Sequence, residues 1–322
     1  SFAAFQSRQY LTVLDPGTGK ILWERSDIDP NSGLITDPYG GLFGDDEAIV
    51  LFHADRTAYT VFRTATGEEL RQGRLDVDLG LQRRVFGRKL LFTADDEEKQ
   101  LRLWDPLTNK STLNVAVRDR IFTAVTPEEE LVVVMPPKRV LTFDTETGEK
   151  RHEFTLPGLD LMNLSFIRAF ADQETLYLNL QREMRAPALQ NFSYYASDMF
   201  LPASPLQGDV YAIDRSSGEI RWKRQLPQRS VLQLPNHRLP FLITVSRVRD
   251  RSNGSRQSLL VEVIDKKTGN TVGLNDTLFP DRLVVMNYDA RSARIDLHGL
   301  QTVIRLDFRE RFQKLIDRDG VH

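Results

Sequence analysis

The chain has 322 residues, 40% of them hydrophobic and 27% charged, the composition of a globular rather than a disordered protein. Forty-three Lys and Arg against 45 Asp and Glu leave a net charge of −2, so no global field favours nucleic acid or an anionic membrane. No run approaches the ~18 apolar residues that cross a bilayer, and zero cysteines exclude disulfides, thiolate catalysis and cysteine-held metal.

The first predicted element is a strand, Tyr10–Leu14, closed by the turn Asp15-Pro16-Gly17-Thr18-Gly19 and followed by Lys20-Ile21-Leu22-Trp23. That turn returns along the chain. Weaker copies stand at Arg63-Thr64-Ala65-Thr66-Gly67 and Asp105-Pro106-Leu107-Thr108-Asn109, and stronger ones at Asp144–Gly148, Asp214–Gly218 and Asp265–Gly269. An Asp at a strand end accepts hydrogen bonds from turn N–H groups, and a Gly four residues on supplies the positive φ of a bulged hairpin. Asn109 is the next most tolerant residue of that conformation. Arg63 lacks the Asp acceptor, a loss of about 1 kcal/mol that a blade should survive.

Five short apolar runs, Glu47–Phe52, Lys89–Phe92, Leu131–Met135, Thr175–Leu178 and Pro240–Val245, each precede a copy of the turn. Such runs fit strands covered on both faces. They are predicted as second strands, with Tyr10–Leu14, Val140–Phe143, Val210–Ile213 and Leu259–Ile264 as third strands. The anchor positions 15, 63, 105, 144, 214 and 265 lie 48, 42, 39, 70 and 51 residues apart, and a further strand, Thr302–Asp307, ends 42 residues on. A four-stranded propeller blade takes roughly 40–50 residues. The prediction is an all-β chain, one β-propeller domain over 1–322, of seven blades of four antiparallel strands with six or eight as alternatives. The opening Ser1-Phe2-Ala3-Ala4-Phe5 has no leader pattern and repeat-like sequence follows at once, so the expectation is a domain excised from a longer protein. At the C-terminus Phe308, Phe312, Leu315 and Ile316 fall on one helical stripe, against the competing reading of a fourth strand.

The 70-residue interval carries an insertion in the fifth blade, 181–208, with Phe192, Tyr194, Tyr195, Met199 and Phe200. The next blade carries an Arg-rich stretch in the equivalent second-to-third connection, with Arg247, Arg249, Arg251 and Arg256. Equivalent connections of adjacent blades emerge on one face, and aromatic, Met and Arg side chains are enriched in interface cores. These nine residues form the candidate partner-binding site. The competing reading is a structural cap that buries its own aromatics.

Other chemistry finds little support. His53, His152, His237, His298 and His322 have no metal-ligand spacing, no G-x-S-x-G elbow occurs, and Gly17-Thr18-Gly19 lacks the third Gly of a dinucleotide loop. The acidic clusters Asp45-Asp46-Glu47, Asp95–Glu98, Glu128–Glu130 and Asp172-Gln173-Glu174 read as solvated turns at blade edges. No catalytic residue, cofactor or metal is expected.

The strings Leu14–Trp23 and Tyr211–Trp222 closely resemble the repeat of PQQ-like, quinoprotein-type β-propellers, roughly A-x-D-x-x-T-G-x-x-x-W. Degenerate copies spread the resemblance over nearly the whole chain. The family holds quinone-dependent dehydrogenases with calcium and non-catalytic propellers such as the outer-membrane assembly lipoprotein. Only Trp23 and Trp222 occupy the motif tryptophan position here; Leu156 and Val272 fall near it in other copies, and Trp104 precedes its Asp and is not a docking residue. With no cysteine pair and few motif tryptophans, the resemblance implies the non-catalytic branch: a protein- or peptide-binding module of a larger bacterial, extracytoplasmic protein, without membrane insertion or nucleic-acid binding. The alternative is a propeller enzyme or carbohydrate-binding domain using the central channel mouth. Oligomeric state is not legible.

Overall fold

A computed structural model describes all residues except 1, 33–40, 76–83, 96–98, 118–119, 127–128, 157–160, 162–163, 183–202, 233–238, 251–255, 278–284, 290–293, 300–302 and 309–322. The C-terminal helix expected beyond Phe308 lies outside the described residues, and no helix occurs within them.

Antiparallel sheets follow one another along the chain. The first holds β1 (Ala3–Ser7), β2 (Tyr10–Leu14) and β3 (Ile21–Arg25); the second β4 (Leu42–Gly44), β5 (Ala48–Phe52), β6 (Ala58–Arg63) and β7 (Glu69–Arg74). The third holds β8 (Arg84–Phe86), β9 (Lys89–Asp95), β10 (Lys99–Asp105) and β11 (Lys110–Ala116); the fourth β12 (Phe122–Val125), β13 (Glu130–Met135), β14 (Arg139–Asp144) and β15 (Lys150–Thr155). A seven-stranded sheet then runs through β16 (Leu164–Ala171), β17 (Thr175–Arg182), β18 (Ala203–Asp214), β19 (Ile220–Leu232), β20 (Phe241–Asp250), β21 (Arg256–Asp265) and β22 (Thr271–Thr277). The last holds β23 (Val285–Asp289), β24 (Arg294–His298) and β25 (Val303–Asp307). Divided at β19, the seven-stranded sheet becomes a fifth and a sixth group of the same kind.

The predicted second strands are the buried ones. All five residues of β5 and all six of β13 are buried, whereas the fourth strands β7 and β15 alternate between exposed and partly covered positions. Two-sided burial follows from sheets stacking face to face. One cluster joins Val50, Phe52, Tyr59 and Val61 of the second sheet to Leu90, Phe92 and Trp104 of the third. Others join Val132 and Val140 to Leu178 and Tyr211, and Ile243 and Val263 to Leu297 and Ile304. Stacked four-stranded antiparallel sheets with this repeat make the fold an all-β propeller.

The chain divides into two compact units, one of residues 1–121 with 142–151 and the other of 122–141 with 152–322. Each is built on the same corner. In the first, Asp15 Oδ1 accepts from the Gly17 N–H at 2.8 Å and Asp144 Oδ1 from Glu146 and Thr147 at 2.8 Å. In the second, Asp214 and Asp265 do the same for Ser216 and Lys267. Gly19, Gly67, Gly148, Gly218 and Gly269 all have φ between 69° and 75°, and Asn109 stands at 55°. The Arg63 copy forms without its carboxylate: Gly67 N–H still reaches the Arg63 carbonyl at 2.9 Å, and Arg63 pairs with Glu68 instead.

Successive sheets are fastened through these corners. Trp23 donates its indole N–H to the Thr64 carbonyl at 2.7 Å, and Arg25 donates to the Gly67 carbonyl at 3.3 Å. Trp222 and Arg224 repeat both bonds onto Lys266 (2.8 Å) and Gly269 (3.1 Å). Between the third and fourth sheets Lys89 takes the tryptophan's place, its ammonium donating to the Thr145 carbonyl at 2.9 Å. In the fourth repeat the ring over the next glycine is Phe154, not Leu156: an added Cβ at Gly218 would fall 2.8 Å from Phe154. Leu156 is fully buried in the cluster below, and Val272 packs on the cluster around Ile243 and Val263 without capping a corner. Trp104 stays inside its sheet's core, edge-on to Tyr59 at 4.9 Å.

The acidic clusters are not merely solvated turns. Arg88 gathers Asp45 (3.1 Å), Glu47 (2.6 Å) and Asp105 (3.3 Å). Glu130, with its side chain 1% exposed, receives Arg215 at 2.8 Å, and Asp172 receives Lys266 at 2.9 Å. A turn carboxylate on one sheet meets a cation on the next, which the linear sequence does not show. The residues Asp96–Glu98 lie outside the described ones.

Candidate partner-binding site

The insertion is rooted in the fifth sheet. Strand β17 breaks its apolar run with Asn179 and Gln181, both buried, and a buried amide needs partners. Asn179 donates to the carbonyls of Gln207 (2.9 Å) and Asp209 (3.2 Å). Its own carbonyl accepts from the Gln181 amide at 3.1 Å and the Gln207 N–H at 3.4 Å. Gly208 sits between them at φ 89°, where an added Cβ would lie 2.6 Å from the Leu180 carbonyl oxygen. Both ends of the predicted 181–208 excess are thus ladder or anchor, and the stretch outside the described residues narrows to 183–202.

The returning limb does more than re-enter its own sheet. The C-terminal part of β18, Asp209–Asp214, pairs with Thr175–Leu180 of β17. Its first four residues, Ala203–Leu206, pair instead with Arg229–Leu232 at the far end of β19, and a register shift between Leu206 and Gly208 separates the two ladders. On its other edge β19 pairs Ser230 with Val245 and Val231 with Thr244 of β20. The root of the insertion therefore belongs to the same continuous sheet as the Arg-rich element.

That element is a hairpin rather than a loop. Strands β20 and β21 pair from Phe241 with Asp265 out to Asp250 with Arg256. Among the described residues the neighbouring β22 is paired only as far as Leu259, and β19 only as far as Val245. Beyond these points β20 and β21 run on as a two-stranded ribbon whose sequence holds Arg247, Arg249 and Arg256 with Asp250. Arg247 stands opposite Leu259 and Arg249 opposite Gln257. Arg251 and the aromatic candidates Phe192, Tyr194, Tyr195, Met199 and Phe200 lie outside the described residues.

A buried ion network underlies the ribbon. Glu262, 2% exposed, accepts from Arg224 at 2.6 Å, from Arg229 and from the Thr271 hydroxyl. Burial pushes its carboxyl up, but the Thr271 hydroxyl and the two guanidiniums outweigh that and hold it below the ordinary range. Arg224 comes from the part of β19 that closes the fifth sheet and Arg229 from the part that opens the sixth. One carboxylate thus fixes both halves of a bent strand.

Sequence reasoning missed Asn179, Glu262, Arg224 and Arg229. A signal was present: Leu178-Asn179-Leu180 and Val261-Glu262-Val263 place one polar residue within an otherwise apolar strand, where it must be satisfied internally. Among the histidines, His53 is held between the hydroxyls of Ser32 (3.2 Å) and Thr60 (2.9 Å).

No helix among the described residues is long and apolar enough to cross a membrane. Among curated proteins, none matches the chain. Among solved structures it is similar to BamB from Moraxella catarrhalis, at 12% identity over 94% of this chain and 77% of that one, with a TM-score of 0.43. It is similar also to the Pan2 WD40 domain of Neurospora crassa, at 13% identity over 83% of this chain and 77% of that one, TM-score 0.39. The model of the family described as outer membrane protein assembly factor BamB matches residues 7–231. With most of its corners inside that match, the chain belongs to this PQQ-like propeller family.

Proposed function

We propose that the chain is a non-enzymatic, protein- or peptide-binding propeller module of a larger bacterial, extracytoplasmic protein, and that its partner surface is formed by the 183–202 insertion and the β20–β21 ribbon. The observation that carries this reading is the ribbon: among the described residues two strands run past the pairing of their neighbours, with arginines at Arg247, Arg249 and Arg256 in their sequence, in the same sheet as the root of the insertion. Rigid scaffolds commonly present recognition elements this way. The family match supports the extracytoplasmic placement, since its description is that of an outer-membrane assembly factor.

The carboxylates argue in the same direction. Asp55, Asp144 and Asp214 are held below their ordinary range chiefly by N–H and hydroxyl donors of their own turns. A carboxylate tuned for acid–base work is pushed towards neutrality instead. The test is capture of partners from the source cell by the wild-type chain, by Tyr194→Ala/Tyr195→Ala/Phe200→Ala and by Arg247→Glu/Arg249→Glu. Loss of capture by about tenfold or more with an unchanged melting transition is expected. Loss of folding in the aromatic variant would identify the insertion as a structural cap.

A further inference from the structure

The strands that open the second to fifth sheets, β4, β8, β12 and β16, each pair only with the strand that follows, among the described residues. The strand opening the sixth does not. Arg229–Leu232 of β19 pairs with β20 on one edge and with Ala203–Leu206 on the other. A segment of the fifth sheet's insertion has been added, in antiparallel register, as an extra strand.

The limb has the parts of a bound peptide. Its ladder with β19 is offset from that of Gly208–Ile213 by the bulge at Gln207 and Gly208, so the limb pairs with the part of β19 that opens the sixth sheet. Leu206 is fully buried among Val210, Leu226, Val231 and Leu242. Main-chain pairing supplemented by an apolar anchor is how extended peptides are recognised at sheet edges. Pro205 stands opposite Ser230, and proline is tolerated in a strand where its nitrogen faces away from the paired edge.

We infer that Arg229–Leu232 is a strand-addition site which Ala203–Leu206 fills in cis, and that its ligand in trans is an extended peptide of a partner protein bearing an apolar residue at the Leu206 position. This deepens the partner-binding reading and rests on it. The limb swings out about Gly208, and Asn179 is the latch, since its carboxamide holds Gln207 and Asp209 on the other side of that hinge.

The chain contains no cysteine, so Ser204→Cys with Val231→Cys, opposite one another in the register, forms one disulfide that locks the limb. The probe is a fluorescent synthetic peptide of residues 200–208, Phe-Leu-Pro-Ala-Ser-Pro-Leu-Gln-Gly, used with its Leu206→Asp form. The reduced full-length chain should bind the first and fail to bind the Leu206→Asp form. Oxidation should weaken binding about tenfold or more. Equal binding in both redox states, or none in either, overturns the proposal. If the locked protein still captures the cellular partner while the Tyr194, Tyr195 and Phe200 variant does not, the broader surface reading stands and the strand-addition site falls.

Discussion

Trp23 lies over Gly67 of the following sheet while its indole N–H bonds the Thr64 carbonyl at 2.7 Å. The corner therefore has two uses for glycine. One is the positive φ of the turn; the other is a bare α-carbon on which the neighbour's ring can rest.

These two uses separate by mutation. Gly67 at φ 71° would place an added Cβ 2.6 Å from the Trp23 ring, whereas Gly19 at φ 69° has nothing within 4 Å. Both alanine substitutions carry the left-handed backbone penalty of about 1 kcal/mol, and only Gly67→Ala must also displace a docked indole. Urea unfolding should show Gly67→Ala to be the costlier by about 1–3 kcal/mol. Equal losses would mean the ring contributes no contact.

Trp222 divides in the same spirit. Trp222→Ala removes a buried ring and its bond to Lys266, and about 3–5 kcal/mol of stability should go with it. Trp222→Phe keeps most of the packing but leaves the Lys266 carbonyl without its donor, a loss of about 1 kcal/mol. Thermal melts of the two variants check the ratio.

Glu262 is the carboxylate most dependent on its partners. Glu262→Ala strands Arg229, whose side chain is 10% exposed, and should destabilise by about 3–5 kcal/mol. Replacing both with methionine removes the uncompensated charge along with the pair and should restore much of that loss. Denaturant titration of the single and double variants decides it.

Acid should unfold the protein through its corners. Turn N–H donors, aided by Arg151, hold Asp144 at about 2, and Asp15, Asp55, Asp214 and Glu262 are likewise lowered. A carboxyl with a folded value below its unfolded value of about 4 stabilises fully above the latter and loses that contribution as pH falls. Melting temperature should thus drop between about pH 4 and 2 on account of these groups. Asp144→Asn keeps the Oδ1 acceptor but does not titrate, so the variant should show a shallower slope there.

The Asp-to-Gly corners and the buried second strands were legible in the linear chain because each is local: a turn needs its acceptor and its positive φ within five residues, and a strand covered on both faces is apolar throughout, whereas Trp23 and Trp222, which bond carbonyls 41 and 44 residues on, were legible only as the tryptophans of the repeat motif. Even Arg63 followed this logic, losing its acceptor while keeping its turn. Phe154 for Leu156, Lys89 in the tryptophan's place, the burial of Glu130 under Arg215 and the latch at Asn179 were decided only by the tertiary structure. Each depends on which side chain a neighbouring sheet brings within a few ångströms, and residues 85 positions apart, such as Glu130 and Arg215, become partners only through sheet stacking. The same holds for Ala203–Leu206: its composition reads as loop, and a free strand edge at Arg229–Leu232 makes it a strand.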